Sequence, residues 1–591
     1  MEKSADKLQK FCRTVFLATV FLLPLKFGAM ILPGVPHAYT ADIYGVILNA
    51  LPPSAFTVWA AALLILALAA YRFSAGITLK NPFGRVLTLF LLLPVITLLG
   101  FINPDNPESA VIEFEYILGV AAFAAASAII LQGSPENFRT RIFNTAAAGT
   151  IVTALAGAYQ YFYGFDELKN FIATQEKLHN IKFPPELKAR AYDVRTYGTF
   201  TFASALAGFL ALTGALTAVR AFRWGGNFEP VKISQKIFAA LTILLVAGIF
   251  LTTKGRSAFL AVIISAAFTG FILLKSRKVK LFLAISAVVV IIAGAFYIHL
   301  AGRGFGSMTE RVGYLQSSVK MVLEHPFCGA GWGSFTYYHA QYKNFGNEEL
   351  AKDPHNMIAA FASQTGIPGG VAITVLWLYI LYLAGKRMKR DFSPENMALF
   401  AGLGAFSLHI LMDLDWQVPA LMAYYSLFAL LTADDLSENE TVPGRKLPVF
   451  MLAILSLLTL TGGIHYAASE NTFGNMLAAA GQEAGAYTPP QSSYEVDIAA
   501  EKALKLAPYS ASICNAMALD KLRRGDLDRA EELFRQTIKL APRSHAAHKS
   551  LSKLYTLLGK KELAEKHAAE ADRLFPYYKV FMNKRKHNDH E

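Results

Sequence analysis

The stretches HPFCGAGWGSF (residues 325–335) and DPHNMIAAFASQTGIPGG (residues 353–370) decide how this sequence is organised. They close a long polar segment, residues 302–355, that lies between two strongly apolar ones. Gly329, Gly331 and Gly333 predict tight turns within it. An apolar helix is predicted to begin directly after His355 and Asn356. A polar segment of this length in a hydrophobic chain predicts a functional loop, because passive connections are usually much shorter.

The composition predicts a membrane protein. Of the 591 residues, 54% are hydrophobic and 17% are charged, and the mean hydropathy is +0.36. Soluble domains contain about 25% charged residues. The first apolar run, residues 15–32, is longer than the core of a signal peptide and is predicted to be a transmembrane helix. The net charge of +13 does not predict nucleic-acid binding here, since the basic residues fall in short loops, as cytoplasmic loops do.

The apolar pattern predicts an all-α, polytopic helical membrane protein with about 13 transmembrane helices, one for each stretch of roughly 20 apolar residues. The basic loops alternate along the chain, which predicts a cytoplasmic N-terminus and an outward-facing loop 302–355. An odd number of spans also places the chain after residue 466 on the outward side. The spans are expected near residues 14–33, 55–72, 84–101, 111–131, 142–163, 198–219, 235–252, 257–274, 280–299, 357–385, 395–413, 416–432 and 448–466.

The end of the chain repeats itself. Pro508, Pro542 and Pro576 recur every 34 residues, as do Gly525 and Gly559. This period is typical of tetratricopeptide repeats, which commonly bind proteins on a concave surface. We therefore predict a membrane domain over residues 1–466, a linker over 467–494, tetratricopeptide repeats over 495–577 and a polar tail over 578–591. This modular organisation predicts that removing the repeats spares the basic chemistry but changes the choice of partner or acceptor.

Three arginines lie in segments predicted to face outward, where basic residues are uncommon: Arg195, Arg256 and Arg311. A charge at the edge of the hydrocarbon region is usually paired or functional. Arginine binds phosphate through two parallel hydrogen bonds and stays charged. Converging arginines would bind a diphosphate. Each arginine alone could instead reach lipid headgroups or pair with an acid such as Asp193 or Glu310.

A histidine and two acids are the other candidates. His355 could accept a proton from a hydroxyl group, with Asn356 beside it, although the same pair could simply start a helix. Asp413 and Asp415 stand near His409 in LHILMDLDWQVP (residues 408–419), where they could contact an acceptor or stabilise a helix end. Two acids alone offer too few oxygens for a metal site. The sequence contains no nucleotide-binding or zinc motif, so neither a cofactor nor a metal is predicted.

The arrangement resembles the O-antigen ligase and polymerase superfamily of bacterial inner membranes. The resemblance covers roughly residues 190–420. It is carried by RTYGTFTFAS (195–204), TTKGRSAFLA (252–261), TERVGYLQSSVKMVLEHPFCGAGWGSF (309–335) and PHNMIAAFASQTGIPGG (354–370). Members have a large periplasmic loop between two late helices, bounded by an arginine and a histidine.

The resemblance implies metal-independent transfer of a glycan from undecaprenyl diphosphate to an acceptor hydroxyl, with inversion at the anomeric carbon. Arg195 and Arg256 would bind the diphosphate with help from Arg311, and His355 would act as the base or orient the acceptor. Independently of the resemblance, the residues themselves make Asn356, Asp413 and Asp415 candidates for contact with substrate.

Several functions remain open from the sequence. The first candidate is ligation of O-antigen or a related polysaccharide to lipid A-core. The second is polymerisation of lipid-linked repeat units, and the third is protein O-glycosylation. A transporter of lipid-linked sugars belongs to a different class. A transporter would require charged or broken segments near the middle of the membrane, whereas most of these spans are apolar through their centres.

Overall fold

The computed structural model describes most of the chain. The described residues are 2–31, 50–71, 80–102, 104–179, 183, 185–223, 233–274, 276, 278, 306–343, 350–437, 447–483, 486–487 and 493–578. The span predicted near 280–299 lies outside them, as do parts of loop 302–355 and nearly all of the predicted tail 578–591.

Within the described residues, the regular structure up to residue 479 is helical. In chain order the helices are α1 (Glu2–Lys26), α2 (Pro53–Tyr71), α3 (Pro82–Thr97), α4 (Pro107–Gln132), α5 (Asn137–Tyr159), α6 (Phe165–His179), α7 (Pro185–Asp193), α8 (Ala203–Phe222), α9 (Ile233–Thr252), α10 (Arg256–Leu273), α11 (Gly306–Glu324), α12 (Phe335–Tyr342), α13 (Met357–Arg390), α14 (Pro394–His409), α15 (Pro419–Ser437) and α16 (Val449–Ala479). Short 3₁₀ turns cover Leu98–Phe101 and Asp415–Gln417, and a π turn covers Gln160–Gly164.

The membrane-protein prediction is confirmed. Within the described residues, 10 helices are long and apolar enough to cross a bilayer: α1–α5, α8–α10, α13 and α16. Helices α14 and α15, at two further predicted spans, are not among these 10. The fold is therefore an all-α, polytopic membrane protein.

The helix starts follow from the sequence. Asn81 and Asn106 each accept a hydrogen bond from the backbone three residues on, and a proline follows each as the first helical residue. Asn356 caps α13 by accepting from the N–H of Ala359 at 2.9 Å. A side-chain acceptor at the start of a helix binds a backbone N–H that has no partner inside the helix. Proline fits the first helical position because an N–H at that position would have no helical partner.

Helix α4 is the centre of the membrane domain. Its apolar window is 89% buried, against 22% for α9 and 28% for α10, so α4 is enclosed while α9 and α10 lie at the periphery. The sequence GVAAFAAASA in α4 supplies small side chains that let α2, α3, α15 and α16 approach closely.

The glycine-rich turn of the large loop packs against a bend in α13. Gly366 interrupts α13 with φ of 78°, two residues before Pro368. At this bend the N–H of Ala330 donates to the carbonyl of Ser363, and the N–H of Ile367 donates to the carbonyl of Pro326. A Cβ atom on Gly329 would lie 2.2 Å from the carbonyl carbon of Gln364, so only glycine fits. This contact fixes the loop to the helix that begins after His355.

The C-terminal region is built from paired helices. Helix α16 continues through the first half of the predicted linker. A two-residue hairpin follows it, β1 (Gln482–Glu483) with β2 (Ala486–Tyr487), and then come α17 (Ser493–Leu506), α18 (Ala511–Arg523), α19 (Leu527–Leu540), α20 (His545–Leu557) and α21 (Lys561–Leu574). Helix α18 pairs with α19, and α20 pairs with α21. Both helices of the second pair start 34 residues after their counterparts in the first, in agreement with the sequence period.

Candidate active site

One cavity gathers most of the predicted site residues. It has a volume of ≈840 Å³ and is bordered by Arg195, Arg256, His355 and Asp413. These residues come from four separate segments, spread over more than two hundred positions of the chain. The fold therefore brings together residues that the sequence analysis selected one by one.

Arg195 follows α7 and is held at the cavity by Asp193. Its Nε donates to a carboxylate oxygen of Asp193, and its side chain remains 54% exposed. Lys254 reaches the same place, where its Nζ donates to the backbone carbonyl of Asp193 at 2.8 Å. The acid pairing considered from the sequence thus exists, and it coexists with a position on the cavity wall.

Arg256 is the first residue of α10 and is exposed at the cavity. The first turn of a helix has backbone N–H groups without helical partners and the positive end of the helix dipole. A guanidinium at this position adds a full positive charge. The combination favours a phosphate or another anion.

Backbone strain is concentrated beside these residues. Among the described residues, only three other than glycine have positive φ: Val194 (50°), Lys254 (52°) and His355 (54°). Val194 directly precedes Arg195, and Lys254 lies two residues before Arg256. Positive φ is unfavourable for side chains with a Cβ, above all for a β-branched one. Such strain persists where the surroundings hold it in place, and it clusters at functional sites.

His355 lies between an aromatic ring and two carboxylates. Its ring stacks on Tyr314 of α11 with the centroids 5.5 Å apart, and Nδ1 lies 3.7 Å from Oδ1 of Asp413. Its backbone N–H donates to Oδ1 of Asp353 at 2.9 Å, which supports the strained φ. The imidazole is 21% exposed, so a substrate in the cavity can reach it.

Asp413 connects the other site residues. Its Oδ2 lies 3.7 Å from Nη2 of Arg311 and accepts from the hydroxyl of Ser257 at 3.4 Å. Burial alone would raise the pKa of Asp413, but His355, His409 and Arg311 together lower it below the ordinary value. Asp413 is therefore an ionised carboxylate that faces both His355 and Arg311. Arg311 lies behind Asp413 and does not border the cavity.

Asn356 and Asp415 have other roles in the structure, and neither borders the cavity. Besides capping α13, Asn356 donates its amide to the carbonyl of Leu411 at 2.9 Å. Asp415 is fully buried, and its Oδ2 lies 2.8 Å from Nε2 of His409. Both side chains join the segment 409–415 to its neighbours. Their contact with substrate remains a prediction.

Two acids that the sequence analysis did not select also border the cavity: Glu113 of α4 and Asp353. Each residue is 4% exposed. Burial raises the pKa of Asp353 to about 7; His355 opposes this effect and the charge of Asp413 adds to it. An acid inside an apolar span is itself a signal of function, and Glu113 could have been found on that ground. Asp353 could have been found as the neighbour of His355.

The C-terminal helices contact the loop beside the cavity. Arg543, in the turn between α19 and α20, lies with Nε 3.0 Å from Oδ2 of Asp105 and donates from Nη1 to Gln341 at 2.9 Å. Its guanidinium also lies 4.0 Å from the ring centre of Tyr338. Ser512, at the start of α18, borders the cavity, and its N–H donates to Glu108. The C-terminal helices and the cavity are therefore on the same side of the membrane domain.

Comparison with known proteins matches part of the chain to a family. Residues 240–374 match the family model described as O-antigen ligase. No curated protein matches the chain. The matched segment contains Arg256, Arg311, Asp353 and His355, and thus much of the cavity wall. The match supports an O-antigen ligase domain over residues 240–374, and with it glycan transfer of the ligase or polymerase type in general.

Proposed function

We propose that this protein transfers a glycan from undecaprenyl diphosphate to a hydroxyl group of lipid A-core. The observation that carries the proposal is the single cavity bordered by Arg195, Arg256, His355 and Asp413. The family match supports glycan transfer in general. Its description as a ligase favours transfer to lipid A-core over polymerisation and over protein O-glycosylation.

The donor's diphosphate binds between Arg195 and Arg256. Nε of Arg195 donates its hydrogen bond to Asp193. The two terminal nitrogens of the same guanidinium can therefore bind two oxygens of one phosphate. Arg256 adds its charge to that of the α10 N-terminus. Undecaprenyl diphosphate is already a good leaving group, so charge stabilisation and positioning supply most of the catalysis. Neither a metal nor a cofactor is required in this scheme.

His355 acts as the general base. It takes the proton from the acceptor hydroxyl as the oxygen attacks the anomeric carbon. The bond from that carbon to the diphosphate oxygen breaks, and the electron pair leaves with undecaprenyl diphosphate. Attack from the face opposite the leaving group inverts the anomeric configuration. Asp413, 3.7 Å from the imidazole, stabilises the positive charge that forms on it.

The cavity faces the periplasm of a bacterial inner membrane in this proposal, and the N-terminus is cytoplasmic. The alternating basic loops support this orientation. A lipid-linked donor enters from the surrounding bilayer. The contacts of Arg543 with Gln341 and Tyr338 of the large loop support a periplasmic position for the C-terminal helices as well.

We also propose that the C-terminal helix pairs are tetratricopeptide repeats. The 34-residue spacing of α18 to α20 and of α19 to α21 supports this assignment. One edge of the repeats is occupied by the loop of their own chain. The concave surface is proposed to bind a protein partner.

Complementation tests the proposal. A strain that lacks the gene is supplied with wild type, Arg256→Ala or Arg85→Ala, and lipid A-core and the lipid carrier are analysed for glycan. Arg85 is the matched control, since it is also an exposed arginine in the first turn of a membrane helix but does not border the cavity. Arg256→Ala is expected to leave the core unmodified while long chains accumulate on the carrier. Normal product from Arg256→Ala would refute the diphosphate site.

A further inference from the structure

Two acids that border the cavity, Glu113 and Asp353, each have one carboxyl oxygen without a hydrogen-bond partner among the described residues. Glu113 accepts at Oε1 from the amide of Gln417 at 3.1 Å, but its Oε2 is buried and unpartnered. Asp353 accepts at Oδ1 from the N–H of His355, but its Oδ2 is likewise buried and unpartnered. Both residues border the cavity.

These oxygens call for a ligand that donates hydrogen bonds. A buried carboxyl oxygen without a partner is destabilising, and most buried polar atoms in folded proteins have one. The diphosphate of the donor cannot be this partner, because its oxygens are negatively charged and would be repelled by the carboxyl groups. A sugar presents several hydroxyl donors and carries no such charge.

We propose that Glu113 and Asp353 form a hydroxyl-binding subsite that holds the acceptor sugar beside His355. This inference rests on the proposed function and names the acceptor end of the same cavity. The arginines then bind the anionic part of the donor, and the two acids bind the neutral, hydroxyl-rich acceptor. Asp353 connects the subsite to the base, since its other oxygen holds the backbone of His355.

The pKa of Asp353 agrees with this role. Burial raises it to about 7, so the carboxyl group near neutral pH can accept a hydrogen bond when ionised and donate one when protonated.

Ser512 borders the same cavity, so the first C-terminal helix pair also lies close to the proposed subsite.

The test separates acceptor binding from donor binding in the purified full-length protein. Glu113→Gln and Asp353→Asn keep the side-chain shape and one carbonyl acceptor each. Transfer is measured with rough lipopolysaccharide as the acceptor, titrated at fixed donor, and donor-site binding is measured with undecaprenyl diphosphate that carries no sugar. We expect each variant to raise the acceptor KM about tenfold or more, as the loss of one hydrogen bond to a charged group would. Binding of undecaprenyl diphosphate should not change.

Glu115→Gln is the matched control. Glu115 is buried on the same helix as Glu113, but it faces His465 and does not border the cavity. Its substitution should leave the acceptor KM at the wild-type value. If either cavity variant fails to accumulate in membranes, the other one still tests the subsite.

Three results would overturn the subsite. They are an unchanged acceptor KM in both cavity variants, a loss of undecaprenyl diphosphate binding in them, or wild-type transfer that EDTA abolishes and Mg²⁺ restores. The second would assign the acids to the donor, and the third would make them a cation site. Failure of the proposed function is recognised separately, because wild type would then neither bind undecaprenyl diphosphate nor form product.

Discussion

Replacing Arg543 tests whether the C-terminal helices are part of the active site. The side chains of Arg543 and its partner Asp105 are 26% and 20% exposed, so the ion pair is partly shielded from water. Arg543 also binds Gln341 and stacks on Tyr338, both in α12. Helix α12 begins two residues after Gly333, which borders the cavity. Losing Arg543 should therefore loosen a wall of the site.

The magnitude follows from these three contacts. A partly exposed ion pair contributes up to about 1 kcal/mol, a hydrogen bond from a charged group about 1.5–3 kcal/mol, and a cation–π contact about 0.5–2 kcal/mol. Contacts that share one side chain are not additive, so Arg543→Ala should weaken docking of the repeats on the loop by about 2–4 kcal/mol. That corresponds to a docking equilibrium constant lower by roughly thirtyfold to several hundredfold.

The assay is transfer to lipid A-core in membranes that contain equal amounts of each variant. A tenfold change corresponds to about 1.4 kcal/mol, which is less than the docking energy expected to be lost. Arg543→Ala should therefore reduce transfer more than about tenfold. Arg529→Ala is the control, since Arg529 pairs with Glu532 within α19. Exchanging the charges, with Arg543→Asp and Asp105→Arg together, should restore part of the activity lost in either single variant. Full activity of Arg543→Ala would refute the reasoning and leave the repeats as an independent module.

Three further predictions concern the repeats and the cavity. Truncation after residue 490 should abolish transfer while undecaprenyl diphosphate still binds, because Ser512 and Arg543 are lost; transfer at the wild-type rate would contradict this. Asp353→Asn should raise the unfolding temperature relative to wild type more at pH 8 than at pH 5. The folded-state pKa of Asp353 is raised from 3.8 to about 7, so the wild type loses stability as pH rises between these values. An equal difference in unfolding temperature between variant and wild type at both pH values would show that Asp353 does not titrate in this range. Asp413→Asn should lower transfer by at least about tenfold with donor binding intact, since the imidazolium loses its counter-charge; unchanged transfer would exclude that role.

The sequence predicted the membrane domain well because helices in lipid must satisfy their own backbone hydrogen bonds, so long apolar runs are unambiguous. Twelve of the thirteen expected spans coincide with described helices, and the other one lies outside the described residues. Arg195 and Arg256 were selected because basic residues are uncommon in outward-facing segments. His355 was selected because a histidine at the end of the polar loop can accept a proton. The structure adds that they border one cavity, which no periodicity could reveal.

The sequence could not assign Asp413 and Asp415 to different roles. They are two residues apart, yet Asp413 faces the cavity and Arg311, while Asp415 is enclosed with His409. It also gave no sign that the repeats touch the loop. Arg543 and Gln341 are 202 positions apart, and contacts at such separation depend on the tertiary fold alone. The modular expectation, that removing the repeats spares the basic chemistry, stays a prediction, and the contacts of Arg543 favour the opposite result.

Reconstitution tests the central claim most directly. Purified protein in liposomes is given undecaprenyl-diphosphate-linked glycan and rough lipopolysaccharide, and both lipids are analysed after incubation. The account predicts that wild type moves the glycan to lipid A-core, and that His355→Ala binds undecaprenyl diphosphate but forms no product. Elongated chains on the carrier with unmodified core would contradict ligation, and full activity of His355→Ala would contradict the assigned base.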